Sequence, residues 1–376
     1  MKKLTTLLFV LVFASSMAFA QSNDSDVNQQ GDDNSATVQQ LGISNSVGLD
    51  QGVFDGYDSN IAEINQNGEA NSLAGYSHGD AVQGKDNYLK LDQDGDYNEA
   101  GVYQDFANSE AFIKQNGYEN DAFVKQDAPK SYADVDQVGD LNTADISQNG
   151  THPEKENEAK VWQDGDLNIT NIGQLGDQNS AKHWVYGDDN MMNIDQIGYD
   201  NEALVDQKNW EHNGNNYNEI TVNQTNNSGG MGNEFFAKLK GDDNEVNITQ
   251  NGSWNRVQGL TGYWNFGNMG AAFKYEGDNS NIDMTQEGNQ NVVFAEIHNS
   301  NGDIDVEQYN NVNQARIDIA GPGGGLLSGN SVDITQTSTG SDFTQSNYVD
   351  VTQRSDNNSA VVNQNGFDNT STITQN

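Results

Sequence analysis

Residues 34–44, Asn34-Ser35-Ala36-Thr37-Val38-Gln39-Gln40-Leu41-Gly42-Ile43-Ser44, decide how the chain is read, because Asn45 opens the same pattern again. The stretch has the form N-x-[small]-x-[apolar]-x-Q-x-G-x-x, an 11-residue unit. Clear copies start at Asn60 (Ala62, Ile64, Gln66, Gly68), Asn98 (Ala100, Val102, Gln104) and Asn142 (Ala144, Ile146, Gln148, Gly150). Further copies start at Asn168, Asn190, Asn244 and Asn358. Allowing Ser, Met or Gly at the first position gives 29 units from Asn23 to the end, with Asn opening 24 and Gln seventh in 22. A period held over the whole chain marks a repeat architecture and overrides the two or three domains that 376 residues would otherwise suggest.

Within a unit, positions 1, 3, 5 and 7 alternate with polar residues, which is the period of a strand. One strand face then carries Asn, Ala, an apolar residue and Gln, and the other carries the variable and acidic residues. The connectors Gly31-Asp32-Asp33-Asn34, Gly95-Asp96-Tyr97-Asn98, Gly165-Asp166-Leu167-Asn168 and Gly187-Asp188-Asp189-Asn190 read as tight turns. In that reading Gly supplies positive φ, and Asp and Asn bond their own backbone. Breaks in the spacing, such as 152–156 and 321–327, are expected to fall at turns.

Composition alone points toward disorder. Only 34% of residues are apolar and the formal net charge is -39, against about 45–50% apolar in ordinary globular domains. The periodicity of the apolar residues argues against disorder and for a thin core rich in amides. Residues 1–20 read as a secretory signal peptide: Lys2 and Lys3, an apolar run from Leu4 to Phe13, then Ala18-Phe19-Ala20. That run is too short to span a bilayer, and no later segment is apolar enough to insert in a membrane. Residues 21–376 read as one repeat domain. The chain has no cysteine, so an exported form does not rely on disulfides. So negative a protein is a poor partner for nucleic acid or an anionic membrane surface.

A seven-residue strand with one half-apolar face cannot bury itself. Two units folded face to face form a strand-turn-strand coil of 22 residues, and coils stack through parallel hydrogen bonds about 4.8 Å apart. About fourteen and a half such coils make a rod roughly 70 Å long. The expected fold class is therefore all-β, a β-solenoid of cross-β coils. A buried Gln left unpaired costs about 1–3 kcal/mol, and stacking Gln on Gln satisfies it along a ladder. Seven units lack the seventh-position Gln and carry Ser77, Val185, Leu239, Thr261, Tyr275, Ile297 or Ile319. The 22-residue coil places Tyr275, Ile297 and Ile319 consecutively on one side of the rod, and Leu239 and Thr261 on the other.

The spacing of Ser109, Gln115, Asn120 and Gln126, and again of Ser131, Gln137, Asn142 and Gln148, resembles the curlin repeat of bacterial curli fibres, approximately S-x5-Q-x4-N-x5-Q. The resemblance covers essentially the whole chain after residue 22. It implies a secreted structural subunit of an extracellular amyloid fibre in a biofilm matrix, acting in surface adhesion. It also implies a self-assembling chain served by a nucleator and an outer-membrane export channel. Ladder roles then fall on Asn98, Gln104, Ser109, Gln115, Asn120, Gln126, Asn142 and Gln148. The same positions elsewhere are Asn34, Gln40, Asn60, Gln66, Ser131, Gln137, Asn168, Gln174, Asn244, Gln250, Asn358 and Gln364. The chain has more repeats than a typical member and lacks the Gly/Asn-rich export segment before the first repeat. The export route is left open, as is the choice between a self-assembling subunit and a finished rod. Repeats close to both ends favour end-to-end stacking.

Other chemistry finds less support. His78, His152, His183, His212 and His298 show no metal-ligand spacing. The run 321–325 lacks the Lys-Ser/Thr of a phosphate loop. Asp92, Asp94, Asp96 and Asn98 resemble part of a calcium loop, but Gly95 is misplaced for one. Trp162, Trp184, Trp210, Trp254 and Trp264 share no repeat position. No catalytic, cofactor or metal residue is assigned. The alternative to a fibre subunit is a monomeric secreted solenoid, an adhesin or a calcium- or ice-binding rod.

Overall fold

The computed structural model describes residues 22–376 apart from 31, 53–58, 76–80, 151–155, 209–216, 227–230, 260–272, 322–323 and 339–345. The expected leader at 1–20, together with His78, His152, His212, Trp210 and Trp264, lies outside these residues. The chain winds as an all-β solenoid in which successive strands alternate between two parallel sheets. The first sheet begins with Asp24–Gln29, Ser46–Gln51 and Ser72–Ala74, and ends with Ser359–Gly366. The second begins with Ser35–Ile43 and Ile61–Glu69, and ends with Thr370–Gln375. Among the described residues each sheet's path runs through fourteen strands, which makes fourteen coils.

Register is strict, because a one-residue slip would turn the apolar set to water. In the second sheet Ala111 lies over Leu89 and under Ala133, and Ile113 lies between Leu91 and Val135. In the first, Ala122 lies between Ala100 and Ala144. These side chains and their counterparts form one continuous buried column between the sheets. Volume is conserved locally within it. Phe235 at a third position is followed by Ala237 at the fifth, and Phe273 at a fifth position stacks on that same Ala237. Two large rings in one coil gap would overpack a core this narrow.

Two of the inserted stretches do not fall at turns, contrary to the sequence reading. Ser72–Ala74 and Ala81–Gln83 both pair with Ser46–Gln51 beneath and Glu99–Gln104 above, so they are two halves of one strand position. Arg256–Gln258 and Phe273–Glu276 likewise complete one position between Glu234–Lys240 and Val292–Ser300. A strand can be interrupted midway if both fragments still pair with the coils on either side. The units counted from Asn255 and Met269 therefore merge, and 29 units become 28 strand positions. Gln83, not Ser77, takes the seventh position of its coil. Ser77 and Thr261 lie outside the described residues.

The turns also differ from expectation. The residue before most of the first positions adopts left-handed φ although it is rarely Gly, as at Leu141 (60°), Leu167 (59°), Trp254 (61°) and Val312 (61°). Stacking imposes this. The Leu167 N–H donates to Asp140 O at 2.9 Å and the Leu141 N–H to Tyr118 O at 2.9 Å, both one coil below. The turn Asp bonds the coil below. Asp140 Oδ1 accepts from Tyr118 N (2.9 Å), Asp166 Oδ1 from Asp140 N (2.8 Å) and Asp188 Oδ1 from Asp166 N (2.9 Å). The Gly has two reasons to be Gly. Gly117 has φ 141°, and a Cβ there would lie 1.9 Å from the Gly139 carbonyl of the next coil.

Leu167→Asn removes a left-handed leucine that costs about 1–2 kcal/mol and is expected to raise stability by part of that amount in urea unfolding. Gly117→Ala is expected to lower it by more than about 1 kcal/mol. If neither variant moves the unfolding midpoint, the turns are not held in the stack.

Candidate functional site: the amide ladders

The seventh-position glutamines of the first sheet form an unbroken column. Each Gln Nε2 donates to the Oε1 of the next coil's Gln, from Gln29 to Gln51, Gln83 and Gln104, and on through Gln126, Gln148, Gln174 and Gln196. The run continues through Gln224, Gln250, Gln286, Gln308 and Gln336 to Gln364, with every bond between 2.7 and 3.1 Å. In the second sheet the ladder runs Gln40, Gln66, Gln93, Gln115, Gln137, Gln163. Among the described residues it resumes only between Gln353 and Gln375, at 2.9 Å. These amides also tie the two sheets together: Gln115 Nε2 lies 2.9 Å from Glu99 O and 2.8 Å from Asn120 O on the opposite side.

The first-position residues form the second kind of ladder, with the opposite direction. The Asn120 N–H donates to Asn98 Oδ1 at 3.1 Å and its Nδ2 donates to the same oxygen at 3.0 Å. Asn142 bonds Asn120 in this way, Asn168 bonds Asn142, and Asn60 bonds Asn34. Asn244 bonds Asn218, and the Asn358 N–H bonds Asn330 Oδ1. The Nδ2 also closes the turn of the next coil, as from Asn98 to Gly117 O at 3.0 Å. Ser109 donates its backbone N–H to Asn87 Oδ1, while Ser109 and Ser131 both donate their hydroxyls to Ala128 O.

Substituted rungs are repaired by neighbours that the repeat does not reveal. Gly302, at a first position, has no side chain. Asn299 fills the space, and its Oδ1 accepts from Asn330 N at 3.3 Å and Nδ2 at 3.2 Å. Ser280 lacks the amide that would reach Asn244, and the Tyr275 hydroxyl lies 3.0 Å from Asn244 Oδ1 instead. Val185 interrupts the second-sheet ladder between Gln163 and Gln207. There His183, fully buried, bonds Gln207 Oε1 through Nε2 (2.7 Å) and Thr170 Oγ1 through Nδ1 (2.8 Å). Thr170 in turn accepts from Gln163 Nε2 at 3.1 Å. A neutral imidazole protonated on Nε2 serves all these partners. Burial pushes its pKa down to about 4.

The apolar seventh positions are longer than the sequence reading placed them. Leu239, Tyr275, Ile297 and Ile319 are consecutive in one column of the second sheet, because the merged strand brings Tyr275 directly over Leu239. Leu239 is thus on the same side as Tyr275, not opposite it. The block has two damaged junctions, and both are visible. Gln207 Nε2, before it, and Gln353 Oε1, after it, are buried without a hydrogen-bond partner. The atoms are those that the ladder's direction predicts, a donor on one side and an acceptor on the other. Three of the four ligand candidates of the calcium reading are spread along the strand Tyr88–Asp96, and Asn98 lies beyond its end. Asp92 and Asp94 accept from Asn65 and Asn67, and Asp96 from Glu69 N, all one coil below. Among the described residues no group of three or more His, Asp or Glu is placed to hold a metal ion.

Ile297→Gln places an amide between Tyr275 and Ile319 and is expected to cost about 1–3 kcal/mol, as is Gln115→Ile, which breaks a continuous run. A neutral Ile297→Gln in a melting experiment would refute the ladder account of that column. His183 gives a pH signature. Its folded pKa lies below the unfolded value near 6.5, so its contribution is complete above that value. It is lost as pH falls toward about 4, for a total of roughly 3 kcal/mol. His183→Val should flatten the stability profile over that window, measured by urea unfolding at several pH values.

No curated protein matches the chain. A family model does: the curlin associated repeat matches residues 107–139 and 344–376. Each match covers three consecutive strands, Glu110–Tyr118 to Tyr132–Val138 in the first and Asn347–Gln353 to Thr370–Gln375 in the second. Both begin and end on the second sheet, so each spans one coil and a half. The chain carries the curlin associated repeat, at two places in a β-solenoid whose strands follow one plan throughout.

Proposed function

We propose that the protein is a secreted structural subunit of an extracellular, curli-like fibre of bacterial origin, growing by stacking of further copies along the coil axis. Residues 1–20, which have the pattern of an export leader, support secretion. The observation that carries the proposal is the opposed direction of the two ladders. Within the ladders the Gln amides donate toward the C-terminal neighbour, whereas the Asn backbone N–H groups donate toward the N-terminal one. The two axial faces of a coil are therefore complementary. A second copy set with its first coil on Gln364 and Gln375 continues both ladders, and one set tail to tail opposes donor to donor. Inward side chains at the two ends, Val27, Ala36, Val38 and Ile373, are only partly buried and would be covered by such stacking. A nucleating protein and an export channel are the partners that such an assembly calls for.

Charge is the brake on this assembly. Asp283, Asp305 and Asp333 stack in register on successive coils. Burial, then Glu307, Asp333, Asp283 and Asp303 around it, raise the carboxyl pKa of Asp305. Like charges about 4.8 Å apart repel by about 1 kcal/mol in water before screening. The chain lacking residues 1–20 is expected to form thioflavin-positive fibres with a meridional reflection near 4.7 Å, and faster with added salt or divalent cations. A monomer that persists for days at micromolar concentration would overturn the fibre reading in favour of a finished rod. Growth indifferent to salt would show that the carboxylates are not the brake.

A further inference from the structure

The two outer faces of the rod are chemically unlike. The strands of each sheet carry seventeen Asp and Glu residues, but the second sheet carries ten Lys and Arg and the first only Lys125. Cations of the second sheet join carboxylates on neighbouring coils, in Lys114–Asp136 (3.2 Å), Lys182–Glu158 (2.7 Å), Arg256–Glu234 (3.0 Å) and Arg316–Asp350 (2.9 Å). Aromatic rings lie between them. Tyr88, Phe112 and Tyr132 form a strip with centroids 5.4 and 5.5 Å apart, and Trp162, 41% exposed, lies in register with Trp184 and 6.1 Å from Tyr186. An open groove of about 630 Å³ beside Tyr132 is lined by Glu156, Glu158, Lys160, Ser180 and Asp200.

We propose that the outer face of the second sheet docks a second copy of this chain, face to face, leaving the two acidic first sheets in water. Inter-coil ion pairing alone does not account for the asymmetry, since the first sheet has as many carboxylates to bridge. A twofold pair needs a self-complementary surface. The second sheet offers both signs of charge with aromatic rings between them, the composition suited to the centre of an interface. Two first sheets brought together would oppose seventeen carboxylates to seventeen with a single cation on each side. Fourteen coils of seven-residue strands present a face of roughly 1,500 Å², well above the 800 Å² or so that each partner buries in a stable complex. This side-by-side pairing does not require axial stacking, so it stands or falls separately from fibre growth.

The absence of cysteine makes the test direct. Single-cysteine variants of the full chain are made at mid-rod positions, Lys114→Cys and Trp162→Cys on the second sheet, Ser147→Cys and Thr249→Cys on the first. They are treated with a short bis-maleimide at a concentration below fibre onset. Mid-rod sites cannot meet through end-to-end stacking. The expected result is covalent dimer from the second-sheet variants and only background from the first-sheet ones. Sedimentation should give twice the monomer mass, reverting to monomer in Trp162→Glu with an unchanged melting temperature. Equal cross-linking from both faces, or a monomer throughout, overturns the pairing. So does a monomer whose tryptophan emission shifts only on adding a soluble β-glucan, which would assign the face to carbohydrate.

Discussion

In a parallel, in-register stack every side chain lies about 4.8 Å from its counterpart in the next coil, so each position must tolerate its own kind. The structure depends on this constraint. A carboxamide meets it best, since it carries a donor and an acceptor on opposite sides and can pass a hydrogen bond along indefinitely. That is why Gln closes one end of the narrow core and Asn the other, with Ala, Val and Ile between them. Aliphatic side chains meet the same constraint by contact alone. A charge meets it worst, which confines carboxylates to the outer faces and turns.

The same constraint determines how departures are arranged. One foreign residue in a ladder harms two neighbours, so a block of four costs no more junctions than a single one. Leu239, Tyr275, Ile297 and Ile319 are such a block, with one stranded donor and one stranded acceptor at its limits. The isolated Val185 instead has His183 and Thr170 to take up the amides on either side. Gly302 relies on Asn299 in the same manner. The repairs come from different places, two positions away on the same strand at His183, three positions away at Asn299 and on the facing strand at Thr170.

The two outer faces experience the constraint differently. Where cations alternate with carboxylates between coils, stacking like on like is relieved locally, as at Glu158 between Lys160 and Lys182, whose hydrogen bonds oppose the effect of burial and hold its carboxyl below the ordinary range. At Asp305 burial first, and the surrounding carboxylates after it, raise the carboxyl. One rod therefore combines a face that opposes contact with another that accepts it, although both grow from one repeated plan.

The period of Asn34, Ala36, Val38 and Gln40 by itself determined the strands, their inward faces, the two-unit coil and the amide ladders, because those are local consequences of alternation and of a unit too small to bury itself alone. Breaks in that period do not say where in the coil the extra residues leave. Only the pairing of Ser72–Ala74 and Ala81–Gln83 with the strands above and below showed one strand in two pieces, and the like pairing of Arg256–Gln258 and Phe273–Glu276 put Leu239 under Tyr275. The left-handed turn residues were also hidden, since Leu and Trp have no preference for that conformation. They adopt it because the hydrogen bonds of the coil beneath require it. The unequal division of cations became legible only once each strand was assigned to a sheet, for a surface shared by fourteen coils is a property of the stack and of no single repeat.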